Sequence, residues 1–284
     1  MDRERRGYSF RARAGFTIYG LCCLIIFIYL QFPYDALKDR IERTLSSALG
    51  MQVTLGHMHS RLPLGIAADG LKINAAEVAD SIVLHPRLAR LFTAQLGLDI
   101  FAELISGEIE GYVQTPIKSI GEPLEMVFDV DGLDAAGFSG FLPATMRAAG
   151  TISGHGEFSG PSGSLEKAQG LISLQAKDGS IPLDIPGVPL GMIGFKTLVL
   201  DARLDKGMLT IEKAEMNGDI SGTIQGAVRV RDQLGMSRLN LSGELILPES
   251  MKSLAGAGGL DASSGLKFSL RGTADRPRFR MLTR

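Results

Sequence analysis

Tryptophan is absent from the 284-residue chain, and all aromatics together make up 6% of it. Any core must therefore be built from aliphatic side chains. Cysteine is nearly absent too: Cys22 and Cys23 are the only pair, adjacent in an apolar run. They cannot staple the rest of the chain, so an exported domain here must rest on its own core. A net charge of −1 leaves no basic field for nucleic acid. There is no Gly-x-Ser-x-Gly, no His-Glu-x-x-His and no P-loop. Gly154-x-Gly156 precedes no helical pattern and lacks a third glycine, which excludes a dinucleotide fingerprint. His57-x-His59 could share one side of a strand and hold a metal, but His85 and His155 are distant in sequence and polar surface histidines are the simpler reading. Asp129-x-Asp131 puts two carboxylates on one face, as a hard cation would need, or as a polar strand face ending at Gly132 would show. The reading is of a non-catalytic protein without cofactor or bound metal.

What the chain does have is one long apolar run, Phe16 to Phe32, with no charge between Arg13 and Asp35. About 20 helical residues cross a hydrocarbon core. Arg3, Arg5, Arg6, Arg11 and Arg13 precede the run, and positive flanks stay cytoplasmic. No Ala-x-Ala-like site follows, which argues against a cleaved signal peptide. The run thus predicts an uncleaved single-pass anchor in a bacterial inner membrane, with residues 1–15 a cytoplasmic tail and the remainder periplasmic.

A short amphipathic helix over 33–50 should come next. Asp35 is its expected cap, and Leu37, Ile41, Leu45 and Leu49 share one face. Gly50 suits the position just past its end. From Met51 the period changes from 3.6 to 2. Leu96 to Leu104 alternate with Asp99 and Glu103, and Ser106-Gly107 makes a hairpin turn back to Val113. Pro86 to Phe92 reads as a helical turn. Later runs repeat the alternation: Leu124 to Val130, Ile152 to Phe158, Leu198 to Leu204, Ile220 to Val230, Leu239 to Leu247 and Leu266 to Gly272. Each has one apolar-or-glycine face and one polar face, the mark of an antiparallel sheet wet on one side. Glycines on the apolar face suit a sharply curved sheet. Loops are expected at Thr115–Pro123, Ala135–Ala149 and Ile181–Leu190, with a sub-boundary near 116–122.

No long helical pattern remains to cover so many apolar strand faces. The fold class is therefore mainly β: a strongly curved antiparallel sheet over 51–284 that closes on itself, folds as a half-pipe, or holds something greasy. Its groove-lining residues would be Ile152, Phe158, Leu198, Leu200, Ile220, Ile224, Val228, Leu241, Leu245, Leu266 and Phe268. Pro182, Pro186 and Pro189 would form a lip over the open side, or a rigid loop packed on the core.

Several motifs fall in a familiar order. Pro33 and the helix of Leu37, Ile41 and Leu45 lead into Gly50-Met51-Gln52-Val53-Thr54-Leu55-Gly56. Gly70-Leu71-Lys72-Ile73 and Leu84-His85-Pro86 follow, and Gly272-Thr273-Ala274-Asp275-Arg276-Pro277-Arg278-Phe279 closes the chain. The chain resembles the AsmA-like superfamily over nearly its whole length, and within it the short members called type II secretion system protein N. That resemblance implies a curved periplasmic β-sheet. It implies a role as an accessory of type II protein secretion, in contact with other platform subunits and the inner membrane. Larger relatives are thought to carry lipid along an apolar groove, so phospholipid is the alternative ligand.

Overall fold

The computed structural model describes residues 15–17, 19–20, 23–24, 27, 29, 31–62, 64–119, 122–138, 148–161, 164–185, 188–248, 252 and 265–282. The helix α1 (Tyr34–Leu49) directly precedes the strands. Its expected cap is corrected: Pro33 occupies the N-cap without a side-chain hydrogen bond, and Asp35 lies in the first turn. Gly50 ends the helix at φ 67°, and its N–H donates to the Ser46 carbonyl. Leu37 and Ile41 pack against Leu55, Met58 and Ala68 of the sheet. The period-3.6 stripe is thus buried on strands, whereas Leu45 stays 37% exposed.

The strands are β1 (Val53–Leu55), β2 (Met58–Arg61), β3 (Gly65–Ile73), β4 (Ala76–Pro86), β5 (Gln95–Leu104), β6 (Glu108–Pro116), β7 (Leu124–Asp134) and β8 (Ala149–Gly160). They continue as β9 (Gln169–Ile185), β10 (Val188–Asp205), β11 (Met208–Gly218), β12 (Ser221–Arg229), β13 (Arg238–Ile246), β14 (Leu266–Thr273) and β15 (Pro277–Met281). All fifteen form one antiparallel sheet in which each strand from β3 onward pairs with its successor, while β1 and β2 share the outer side of β3. The sheet does not close: it begins at β1 and β2 and ends at β15. Hairpin connection after hairpin connection is what short, turn-separated alternating runs dictate. The expected sub-boundary near 116–122 holds a short 3-10 turn, Ile117–Ser119, and β6 still pairs with β7 across it.

Two expectations need correction here. The described residues of the segment from Ile181 to Leu190 are strand, not loop: β9 reaches Ile185 and β10 starts at Val188, with Pro182 opposite Met192 and Pro189 opposite Asp184. A register shift between Pro189 and Gly191 absorbs the irregularity that proline imposes on a ladder. Pro186 lies outside the described residues.

The membrane expectation is also overturned. Among the described residues no helix is long and apolar enough to cross a membrane. The single-pass inner-membrane placement, with cytoplasmic tail and periplasmic domain, has no such helix to rest on. The described residues of 16–29 are helical, and the end of that stretch is tied to the rest of the fold: the Tyr29 hydroxyl donates to the Arg61 carbonyl at 2.7 Å, and the Tyr34 hydroxyl to the Tyr29 carbonyl at 2.8 Å. Of the tail, residues 1–14 lie outside the described residues.

Candidate functional site

The apolar face follows from the register. Cross-strand partners run Leu174, Leu200 and Ala214 through β9 to β11. Beyond the register shift between β11 and β12, where Gly226 faces Ile211, a second row runs Gly226, Leu241, Leu270 and Phe279 through β12 to β15. On a flat sheet, the six strand steps from β9 to β15 at ~4.8 Å each would separate the outer strands by about 29 Å. Instead Ile181 of β9 and Phe279 of β15 line the same cavity, of about 450 Å³. The sheet therefore curls, and its apolar face becomes the inside of a trough.

Glycine makes the curl sterically feasible. A Cβ on Gly156 would strike the Phe128 ring, and one on Gly243 would strike the Phe268 ring. These small residues sit opposite aromatics on the neighbouring strand, so each ring lies down over a glycine. Phe128 stacks on Phe158 at 5.9 Å between centroids, and Phe268 on Phe279 at 5.2 Å.

Leu198, Leu200, Ile224, Leu241, Leu245 and Phe268 all line the 450 Å³ cavity. Ile220 and Leu266 belong instead to the packed core at its end, with Ile193 and Phe195. Phe158 lines a separate cavity of about 380 Å³ beside Leu124, Met126 and Ala168. Ile152 and Val228 lie on the same face, half-buried, and line neither cavity. Pro182 sits in β9, and as strand residues neither it nor Pro189 makes a lip loop. Sequence reasoning missed Ile181, Met216 and Phe279 as lining residues. Phe279 had a signal, since it falls on the alternating face of Pro277–Met281. Met216 is shifted by the irregularity between Ile211 and Glu215, which no period-2 count reveals.

The polar face carries the titratable groups. His155 places Nδ1 at 2.7 Å from Asp129 and Nε2 at 3.1 Å from Glu157. The Asp129 hydrogen bond above all, and then that of Glu157, raise its pKa above the usual histidine value, because only the imidazolium can donate from both nitrogens. Asp131 shares that face as expected and accepts from the Ser153 hydroxyl at 3.1 Å. The rings of His57 and His59 stack at 6.1 Å, and His59 lies 3.5 Å from Asp69. Among the described residues, no cluster of three or more histidine, cysteine or acidic side chains could hold a metal ion. The geometry offers a hydrocarbon-lined trough on one face and a charged surface on the other. Comparison with models of known protein families, with curated proteins and with solved structures finds no match.

Proposed function

We propose that the protein is a non-catalytic, AsmA-like accessory of type II protein secretion, working by protein contact. The observation that supports this reading is the sheet itself. One uninterrupted antiparallel meander with a single apolar face is the architecture that the ordered motifs from Gly50 to Phe279 imply. The half-pipe of that superfamily is the natural description of its curl. Deleting the gene in a bacterium that runs a type II system should leave folded substrate enzymes inside the cell. Unchanged secretion would overturn the proposal.

A second reading is favoured by the cavity. About 450 Å³ lined by aliphatic and aromatic side chains falls in the ~300–1,000 Å³ range of small-molecule sites. An acyl chain would gain about 0.8 kcal/mol for each methylene buried there. The secretion reading expects little lipid in the purified protein. Stoichiometric phospholipid found by mass spectrometry, and lost in a still-folded Ile224→Asp variant, would establish the lipid reading instead.

A further inference from the structure

The two ends of the sheet are unlike. At the first, the Asn74 amide donates to the Gln52 carbonyl, which turns the amides of Val53 and Leu55 outward from β3. Both are met by α1: Val53 donates to the Ser46 hydroxyl at 2.9 Å, and Leu55 to the Glu42 carboxylate at 2.7 Å. That edge is covered. At the other end, the Leu282 amide donates to the Lys267 carbonyl. The same alternation turns Arg278 and Arg280 amides toward β14 and leaves those of Phe279 and Met281 pointing out. Among the described residues no strand pairs with that side. Pro277 falls on the outward register, where its missing N–H breaks no ladder bond.

The side chains on this edge say what would fit. Arg278 and Arg280 are exposed on the polar face, beside Arg271, Lys267, Arg238 and Arg229. Arg271 lies directly opposite Arg278, and Arg229 opposite Arg238. Like charges placed so oppose pairing, and among the described residues none of the six has an ion-pair partner. Elsewhere in the chain Arg87, Arg203 and Arg231 each do. On the apolar face of the same edge, Phe279 and Met281 pack against the core and end the trough wall.

We infer that β15 is a docking edge for an extended polypeptide segment that alternates acidic and apolar residues. Its backbone would pair with Phe279 and Met281. Its acidic side chains would meet the arginines, and its apolar ones would extend the trough wall beyond Phe279. A second copy of this edge does not fit, since antiparallel self-pairing sets arginine against arginine. The chain's own acidic strand, with Glu108 and Glu110, is already paired on both sides. The occupant proposed is another protein. The inference goes beyond both functional readings and needs neither.

The test uses the full chain, a short labelled peptide alternating glutamate and valine, and its lysine–valine counterpart. The glutamate peptide should bind at least about tenfold more tightly and should slow hydrogen exchange at the Phe279 and Met281 amides. Arg278→Glu combined with Arg280→Glu should reverse the peptide preference. Equal binding of the two peptides, or binding that leaves those two amides exchanging as before, would overturn the proposal. So would absent peptide binding with arginine-dependent capture of phosphatidylglycerol vesicles, which would make the patch a lipid-surface contact. No secretion machinery enters the assay, so its failure is separate from failure of the secretion reading.

Discussion

Single residues decide whether this sheet can curl, and Gly226 is the sharpest case. It has φ 132°, a conformation side chains rarely adopt, and a Cβ there would meet the Asn240 carbonyl and the Leu241 backbone. Gly226→Leu should lower unfolding stability by about 1–3 kcal/mol through crowding and strain. Thr223, exposed on the polar face of the same strand, has no such constraint. Thr223→Lys should stay within about 0.5 kcal/mol. Chemical denaturation of the two variants is the check, and equal midpoints would place Gly226 on the wrong face. The face itself was readable beforehand, because Ile220 to Val230 alternates without a break. The positive φ was not, because it depends on how β11 and β13 flank the residue.

Among the elements, α1 and the β9–β10 hairpin mark where sequence reasoning worked and where it failed. The stripe of Leu37 and Ile41 announced that the helix needs an apolar partner, and it finds one on Leu55 and Met58. Its polar work was not visible, because Glu42 and Ser46 read as ordinary surface residues until β1 lies beside them. The hairpin was misread as a loop because Pro182, Pro186 and Pro189 punctuate it, and proline ends most strands. A bulge and a pair of long neighbouring strands outweigh that local signal. The apolar run of 16–32 misled for a related reason. Hydropathy counts greasy residues and does not register where a helix stops: among the described residues no helix is long and apolar enough to cross a membrane, and the Tyr29 hydroxyl meets the Arg61 carbonyl of the sheet. If α1 guards the β1 edge, Glu42→Ala should expose the Leu55 amide. Loss of that charged acceptor should cost about 1–2 kcal/mol and speed exchange at Leu55, while Glu42→Gln keeps an acceptor and loses less. Unchanged exchange in the alanine variant would mean that the edge is not held by the helix.

Across the whole molecule, a nearly neutral chain separates its charges along the sheet. Glu103 faces Glu108, Glu108 faces Asp131 and Glu110 faces Asp129 in β5 to β7, whereas β12 to β15 carry the arginines. Inside the curl a second separation matters more. At one end Ile220 and Ile193 are each 1% exposed, packed with Phe195, Leu247 and Phe268. Two periods of the alternation away, Ile224 lines the cavity and is 39% exposed. Two isoleucines on the same strand face or its immediate extension thus report whether the trough is shut or open. A packed isoleucine truncated to alanine costs ~2–5 kcal/mol, because a cavity replaces its contacts. An isoleucine already bordering open space loses mainly the share of its surface that was buried. Ile220→Ala should therefore destabilise by about 2–5 kcal/mol, and Ile224→Ala by less than about 1.5 kcal/mol. Thermal or chemical unfolding of the full chain measures both. A large loss at both positions would mean that the walls meet and the trough is dry core with no room for a guest. A large loss at Ile220 alone would mean that the curl stays open from Ile224 to Phe279, beside the edge where β15 waits for a strand.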